Sequence, residues 1–537
     1  MAFGSITYLH AQKIAVADAQ ALQAINTNSF AQHIGILASD DFLGRKPFTA
    51  GETKSINYLK SEFEKLGLKP GNGHSFFQEV PMVEIKSAPQ TTMVFSGNNN
   101  SVSATCLSDF VAGTKRVQSQ VEINNSPLVF AGYGIVAPEY GWNDYAGLDV
   151  KGKTVVVLIN DPGFTNPALF KGKNMTYYGR WMYKFEEASR QGAAGVLIIH
   201  DTKPAAYPWT VVRSGWSKSK LQLETPDNNM SRTVVEGWIT LNIAKQLLKL
   251  AGKPETLLTD ALKKGFKPVE LGITTSLTIN NTIKKSVSNN VVAVFPGATR
   301  PDETIIYSAH WDHLGVGEPV KGDSIYNGAV DNASGCAALL ELAAAFKKLK
   351  QPPARSVTFL AFTGEEQGLL GSEYYALHPV FPLQKTVGDI NMDMMGLAGK
   401  TKDMVVYGFG QSELEDYAIA AAKKQQRIIV KDPDPSTGLY YRSDHFNFAK
   451  VGVPALFAGP GVDNIKLGKS WGMEQVVNYT KNRYHSPQDN FDPASWDMEG
   501  LVDDVRLLFD MGVTLSNESR FPQWKPGSEF KAKRVIN

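Results

Sequence analysis

The stretch Val357-Thr358-Phe359-Leu360-Ala361-Phe362-Thr363-Gly364-Glu365-Glu366 decides how this chain is read. A short, nearly continuous apolar run of this kind makes a buried strand, and this one ends on two carboxylates. The same design stands on either side of it. Ile305-Ile306-Tyr307-Ser308 runs into His310-Trp311-Asp312, and Val387-Gly388-Asp389-Ile390-Asn391-Met392 runs into Asp393. Ligands of open α/β sheets gather beyond the carboxyl ends of the strands, so three such polar arrivals mark a site.

Working outward, strands alternate with helices from Asn290 onward. Helical patterns run from Asn332 to Leu349, near Glu373, over Glu413–Lys424, over Asp444–Lys450 and, as a closing helix, over 499–516; Pro454-Ala455-Leu456-Phe457 adds a strand. This predicts an α/β fold with a mostly parallel sheet flanked by helices. Before it, Thr49-Ala50-Gly51-Glu52 reads as a capping box opening a helix whose Ile56, Leu59, Phe63 and Leu66 share one face. Residues 80–126 read as edge strands and loops. From Pro127 the texture becomes β-rich, with strands at Leu128–Gly134, Lys153–Ile159, Gly195–His200 and Trp238–Leu241. That block carries no metal-ligand constellation, and His200 at a strand end reads as structural. The basic tail after Glu518 reads as loose.

A chain of 537 residues is too long for one compact core. Fifty-five Lys+Arg against 53 Asp+Glu give no reason to expect a nucleic-acid or membrane partner. Only Cys106 and Cys336 are present, too few for a disulfide framework or a cysteine zinc site, and Cys336 reads as a buried thiol. There is no run of ~20 apolar residues to suggest a membrane span. Met1–Gln12 resembles the end of a signal peptide, with a small residue at Ala11, and leads us to expect export.

The ordered polar residues fit one task. Two zinc ions ~3.5–4 Å apart need a bridging carboxylate and further ligands on each side. Asp331, in Gly328-Ala329-Val330-Asp331-Asn332-Ala333-Ser334-Gly335, is the natural bridge, flanked by glycines that let the backbone come close, with Asn332 able to cap the next helix. His310 and Asp393 complete one metal; Glu366 and His485 complete the other. Asp312 is placed to accept the proton of the His310 ring and fix its tautomer. Glu365 precedes a ligand and is free to move a proton between water and a leaving amine.

His310-Trp311-Asp312, Gly328–Gly335, Phe362-Thr363-Gly364-Glu365-Glu366, Asn391-Met392-Asp393-Met394 and Tyr484-His485-Ser486-Pro487-Gln488-Asp489 together resemble the M28 co-catalytic zinc aminopeptidases. The resemblance implies the zinc-dependent exopeptidase fold over 28–125 and 285–515. Residues 126–280, with Phe130–Ile135 and Gly192–Val196, look like an inserted protease-associated domain; 1–27 and 518–537 would be peripheral. It implies two zinc ions held by His310, Asp331, Glu366, Asp393 and His485. It further implies a metal-bridging hydroxide as nucleophile, Glu365 as general acid/base, Asp312 as the partner of His310 and Tyr484 as a group polarising the scissile carbonyl. Met394 resembles a pocket-lining residue, and Arg442-Ser443-Asp444-His445-Phe446 a wall of the site, with His445 behind the ligands. The expected activity is release of N-terminal residues from peptide substrates. Alternatives are a carboxypeptidase or dipeptidase, with Arg442 or Arg483 holding a terminal carboxylate, and a non-catalytic binding protein using the inserted domain.

Overall fold

The computed structural model describes residues 17–534, so the leader-like segment Met1–Gln12 lies outside the described residues. Four parallel strands stand in the order Arg355–Phe362, Arg300–His310, Thr386–Met392 and Ala455–Gly459. An antiparallel strand lies on each side of this group, the end of the long strand Val269–Phe295 on one and Asp403–Tyr407 on the other. Every residue of Arg355–Phe362 and Thr386–Met392 is buried, as in a strand covered on both faces.

Successive side chains point to opposite faces of a sheet, and the core divides accordingly. Ile305, Tyr307, Phe359 and Ala361 pack in one cluster with the helices Thr27–Leu37, Ser334–Lys347 and Met498–Asn517. Ile306, Leu360 and Phe362 pack on the other side with Tyr375 and Phe448, from the helices Leu370–Leu377 and His445–Lys450. The run Ala329–Lys347 is long and apolar enough to cross a membrane by composition, and it is 94% buried in this protein. A helix apolar all round belongs inside a core.

The first half of Val269–Phe295 continues into a second region. There it pairs with Gln120–Phe130, beside which Thr154–Leu158, Gly195–His200 and Val235–Thr240 run parallel. The expected border at 125 and 126 falls inside the strand Gln120–Phe130, and Phe110–Gly113 pairs with Val235–Thr240.

Two local expectations need correction. Thr49 caps the helix Ala50–Lys65, accepting from the Gly51 N–H, but Glu52 accepts from Phe48 (2.5 Å) and the Ser288 hydroxyl (2.9 Å) instead of closing the box on Thr49. The tail is not loose. Trp524 and Phe530 are buried, the Trp524 indole donates to the Gly452 carbonyl (2.8 Å), and Glu529 accepts from Lys171 and the Tyr441 hydroxyl. Its charged composition hid two aromatic anchors.

Candidate metal centre

Three strand ends and two loops build the centre. His310 is the last residue of its strand, Asp393 follows Met392, and Glu365 and Glu366 follow Phe362 across Gly364, whose φ is +64°. Asp331 lies in an irregular turn ahead of the helix Ser334–Lys347, and the peptide to Asn332 is cis. The flanking glycines are required by contact. A Cβ on Gly328 would lie 2.1 Å from the Asp331 carbonyl oxygen, and one on Gly335 2.5 Å from that of Met392. Asn332 caps as expected: Oδ1 accepts from the Gly335 N–H (2.9 Å), while Nδ2 donates to the Met392 carbonyl (3.0 Å).

Asp331 faces two ways. Its Oδ1 is 3.2 Å from His310 Nε2, which is 3.3 Å from Asp393 Oδ1. Its Oδ2 is 3.3 Å from His485 Nε2, which is 3.0 Å from Glu366 Oε2. Glu365 Oε2 stands 4.0 Å from His310 Nε2, on the first side. All five residues expected to hold metal are thus brought together, with Glu365 beside them.

Asp312 orients His310 by another route than expected. Its backbone carbonyl contacts His310 Nδ1 at 3.0 Å, whereas its carboxylate is 3.8 Å away and accepts from the Glu365 N–H at 3.0 Å. The side chain therefore holds the main chain of Glu365, and the main chain fixes the imidazole. Tyr484 stacks on His485, ring centroids 3.9 Å apart.

Sequence reasoning missed four supports. His313, fully buried, places Nδ1 2.6 Å from Glu366 Oε1, and with Asp331 and Glu366 it forms a second group whose ligand atoms lie within 4.8 Å of one another. A second histidine three residues after His310 was the available signal. Arg45 is buried at φ +51° and donates to the carbonyls of Leu37, Trp311, Asn327 and Gly328, tying the His310 and Asp331 loops together. Asp489 accepts from the Val330 and Asp331 N–H groups, both at 3.1 Å. The Ser443 hydroxyl donates to Asp393 Oδ2 at 2.7 Å. The four acceptors of Arg45 are all main-chain carbonyls, which leave no pattern in a sequence.

The donor set fits divalent cations. Four carboxylates and three imidazoles converge; Asp312 Oδ2 and His313 Nε2 are buried without a hydrogen-bond partner, and Glu366 Oε1 and His313 Nδ1 have only each other. Mixed imidazole and carboxylate ligands suit zinc. The proton affinities tell the same story. Burial alone would push His310 down, yet Glu365, Asp393 and Asp331 hold it well above the ordinary range. His485 is carried up to about 10 by Asp331 and Glu366 against its burial, and Glu366 goes down to about 2, against burial and Asp331, through His313 and His485. Glu365 moves the opposite way, raised well above the ordinary range by burial and by Asp393 and Glu366.

Other expected residues lie elsewhere. Arg483 is tied to Asp489 (3.4 Å) and to the Gln488 and Asn490 carbonyls. His445 is buried between Tyr440 and Phe457. His200 contacts the Tyr207 carbonyl at 3.0 Å, and the Cys336 thiol donates to the His310 carbonyl at 3.2 Å.

Residues 290–509 match the model of peptidase family M28. This segment belongs to that family. M28 is a hydrolase family, and the matched segment contains all the candidate metal ligands, His310, Asp331, Glu366, Asp393 and His485, while the supporting Arg45 lies outside it. The chain is 33% identical over 257 residues to the aminopeptidase NAALADL1 of Mus musculus, covering 43% of this chain and 32% of that protein. It is 28% identical over 244 residues to a probable leucine aminopeptidase 2 of Aspergillus oryzae, covering 43% and 46%. It therefore spans about a third to a half of the length of these curated relatives. An aminopeptidase from Aneurinibacillus sp. strain AM-1 aligns over 96% of this chain and 98% of its own, at 20% identity and a TM-score of 0.47.

Proposed function

We propose that the chain is a di-zinc exopeptidase that removes N-terminal residues from peptides. The observation that carries this reading is the two-faced Asp331, one oxygen toward His310 and Asp393 and the other toward His485 and Glu366. His310, Asp331 and Asp393 would hold one ion; Asp331, Glu366 and His485 would hold the other. Bound zinc supplies Lewis acidity that polarises a carbonyl and lowers the pKa of water.

The protein's own groups do the rest. Burial keeps the Glu365 carboxyl proton-hungry, so it can take a proton from water and return it to the leaving amine. The Asp312 carboxylate holds the Glu365 main chain, while the Asp312 carbonyl fixes the His310 ring so that Nε2 faces the carboxylates. Tyr484, 40% exposed beside His485, is placed to donate to the carbonyl oxygen of a substrate. We read residues 126–280 as an inserted protease-associated domain walling the site, and the chain as exported; the N-terminus of protein purified from cells, cleaved after Ala11 or intact, checks the latter.

The test is mass spectrometry of peptides incubated with zinc-loaded protein, each in free and N-acetylated form. Loss of single N-terminal residues from the free set alone, stopped by a chelator, is expected. Shortening of the acetylated set from the other end would make the protein a carboxypeptidase, and no cleavage of either would return it to the binding proteins.

A further inference from the structure

Beside the metal centre lies a cavity of about 600 Å³, lined by Glu366 and, from the second region, by Arg180, Trp216, Lys220 and Glu236; Arg442 lines it from the segment just before Ser443. Its size suits a small organic ligand. Its charge is unbalanced. Arg180 is partly buried, and its Nε is shielded from water with no hydrogen-bond partner. Arg442 donates to the Thr437 carbonyl at 3.0 Å and pairs with no carboxylate among the described residues. Burial first, and then the like charge of Arg442, push the Arg180 guanidinium down to about 10. Lys220 sits 3.2 Å over the Trp216 ring, with Glu236 as its nearby countercharge. Glu236 thus offsets Lys220, and although Glu366 and Glu373 also line the cavity, no carboxylate among the described residues pairs with the guanidinium of Arg180 or of the exposed Arg442. Planar forks of this kind match a carboxylate bidentately.

We propose that Arg180 and Arg442 bind a carboxylate of the peptide substrate, so that the enzyme favours short peptides whose acidic group falls in this cavity. The proposal rests on the exopeptidase reading and adds the substrate class. A C-terminal carboxylate and an acidic side chain share this chemistry, and the probes separate them.

The probes are Leu-Gly-Gly, its C-terminal amide and Leu-Gly-Glu-amide, offered to the zinc-loaded full chain and to Arg180→Ala and Arg442→Ala. Turnover is measured alongside quenching of tryptophan fluorescence, since tryptophans line the cavity. For the parent protein, kcat/KM for the free acid should exceed that for the amide by about ten- to a hundredfold, the weight of a charge-assisted pair. In each variant the ratio should fall to within about twofold, with zinc content per chain unchanged as evidence of folding. A glutamyl amide matching the free acid would assign the carboxylate to a side chain. Acid and amide cleaved alike by the parent protein, or a preference surviving both substitutions, would overturn the proposal while leaving the exopeptidase reading intact. If no probe is cleaved but the acid quenches fluorescence at lower concentration than the amide, and Arg180→Ala removes the difference, the carboxylate site stands and the exopeptidase reading falls.

Discussion

The two halves of the centre are built differently. His310 and Asp393 sit at strand ends, with side chains 1% and 7% exposed, backed by the Ser443 hydroxyl and the Cys336 thiol. His485 comes from a loop after the helix Gly468–Asn482, is 37% exposed at φ +52°, and lies under Tyr484. Its partner Glu366 lines the neighbouring cavity. Sheet ends hold ligands more rigidly than loops, so the closed half should bind its ion more tightly. The open half is the one that solvent reaches.

The sharpest way to break this contrast is at Glu365, on the closed side. Glu365→Gln should lower kcat by about 10²–10⁴-fold with zinc content unchanged. Loss of metal instead would make Glu365 a ligand and remove the proton carrier. A smaller effect should separate the halves directly. His313→Phe takes away the contact on Glu366 and should weaken the more loosely held zinc by about 10–100-fold in chelator competition, leaving the tighter ion in place. Ser443→Ala should do the reverse, by about tenfold on the tighter ion. If either substitution weakens both ions equally, the halves are not independent.

Most of the site was legible because strand ends are legible. An apolar run that stops on His310, on Glu365-Glu366 or on Asp393 announces both the parallel sheet and the residues it presents. Asp331 was readable from the glycines around it, whose missing side chains make room for the Asp331 and Met392 carbonyls. Arg45 was not readable, since its four acceptors are main-chain carbonyls contributed by segments up to 283 residues away. The tail was misread for a related reason: two anchors, Trp524 and Phe530, decide its burial among many charged neighbours. Asp312 shows the finer limit, for its spacing gave the right partner while only the structure separates carbonyl from carboxylate.

The effect most remote from the chemistry lies behind the site. Burial pushes His445 from an ordinary 6.5 down to about 3. The unfolded chain therefore binds a proton that the folded chain refuses, and stability should decline as pH falls from about 6.5 toward 3. The loss should approach a few kcal/mol. In denaturant titrations across that range, His445→Phe should flatten the decline, and an unaltered slope would place the acid sensitivity elsewhere.

The central claim is that two zinc ions share Asp331. Zinc per chain, measured after equilibrium dialysis of the parent protein and of Asp331→Ala, tests it most directly. Two ions in the parent protein and neither held in the variant is the expected result; two ions retained without Asp331 would contradict the bridge.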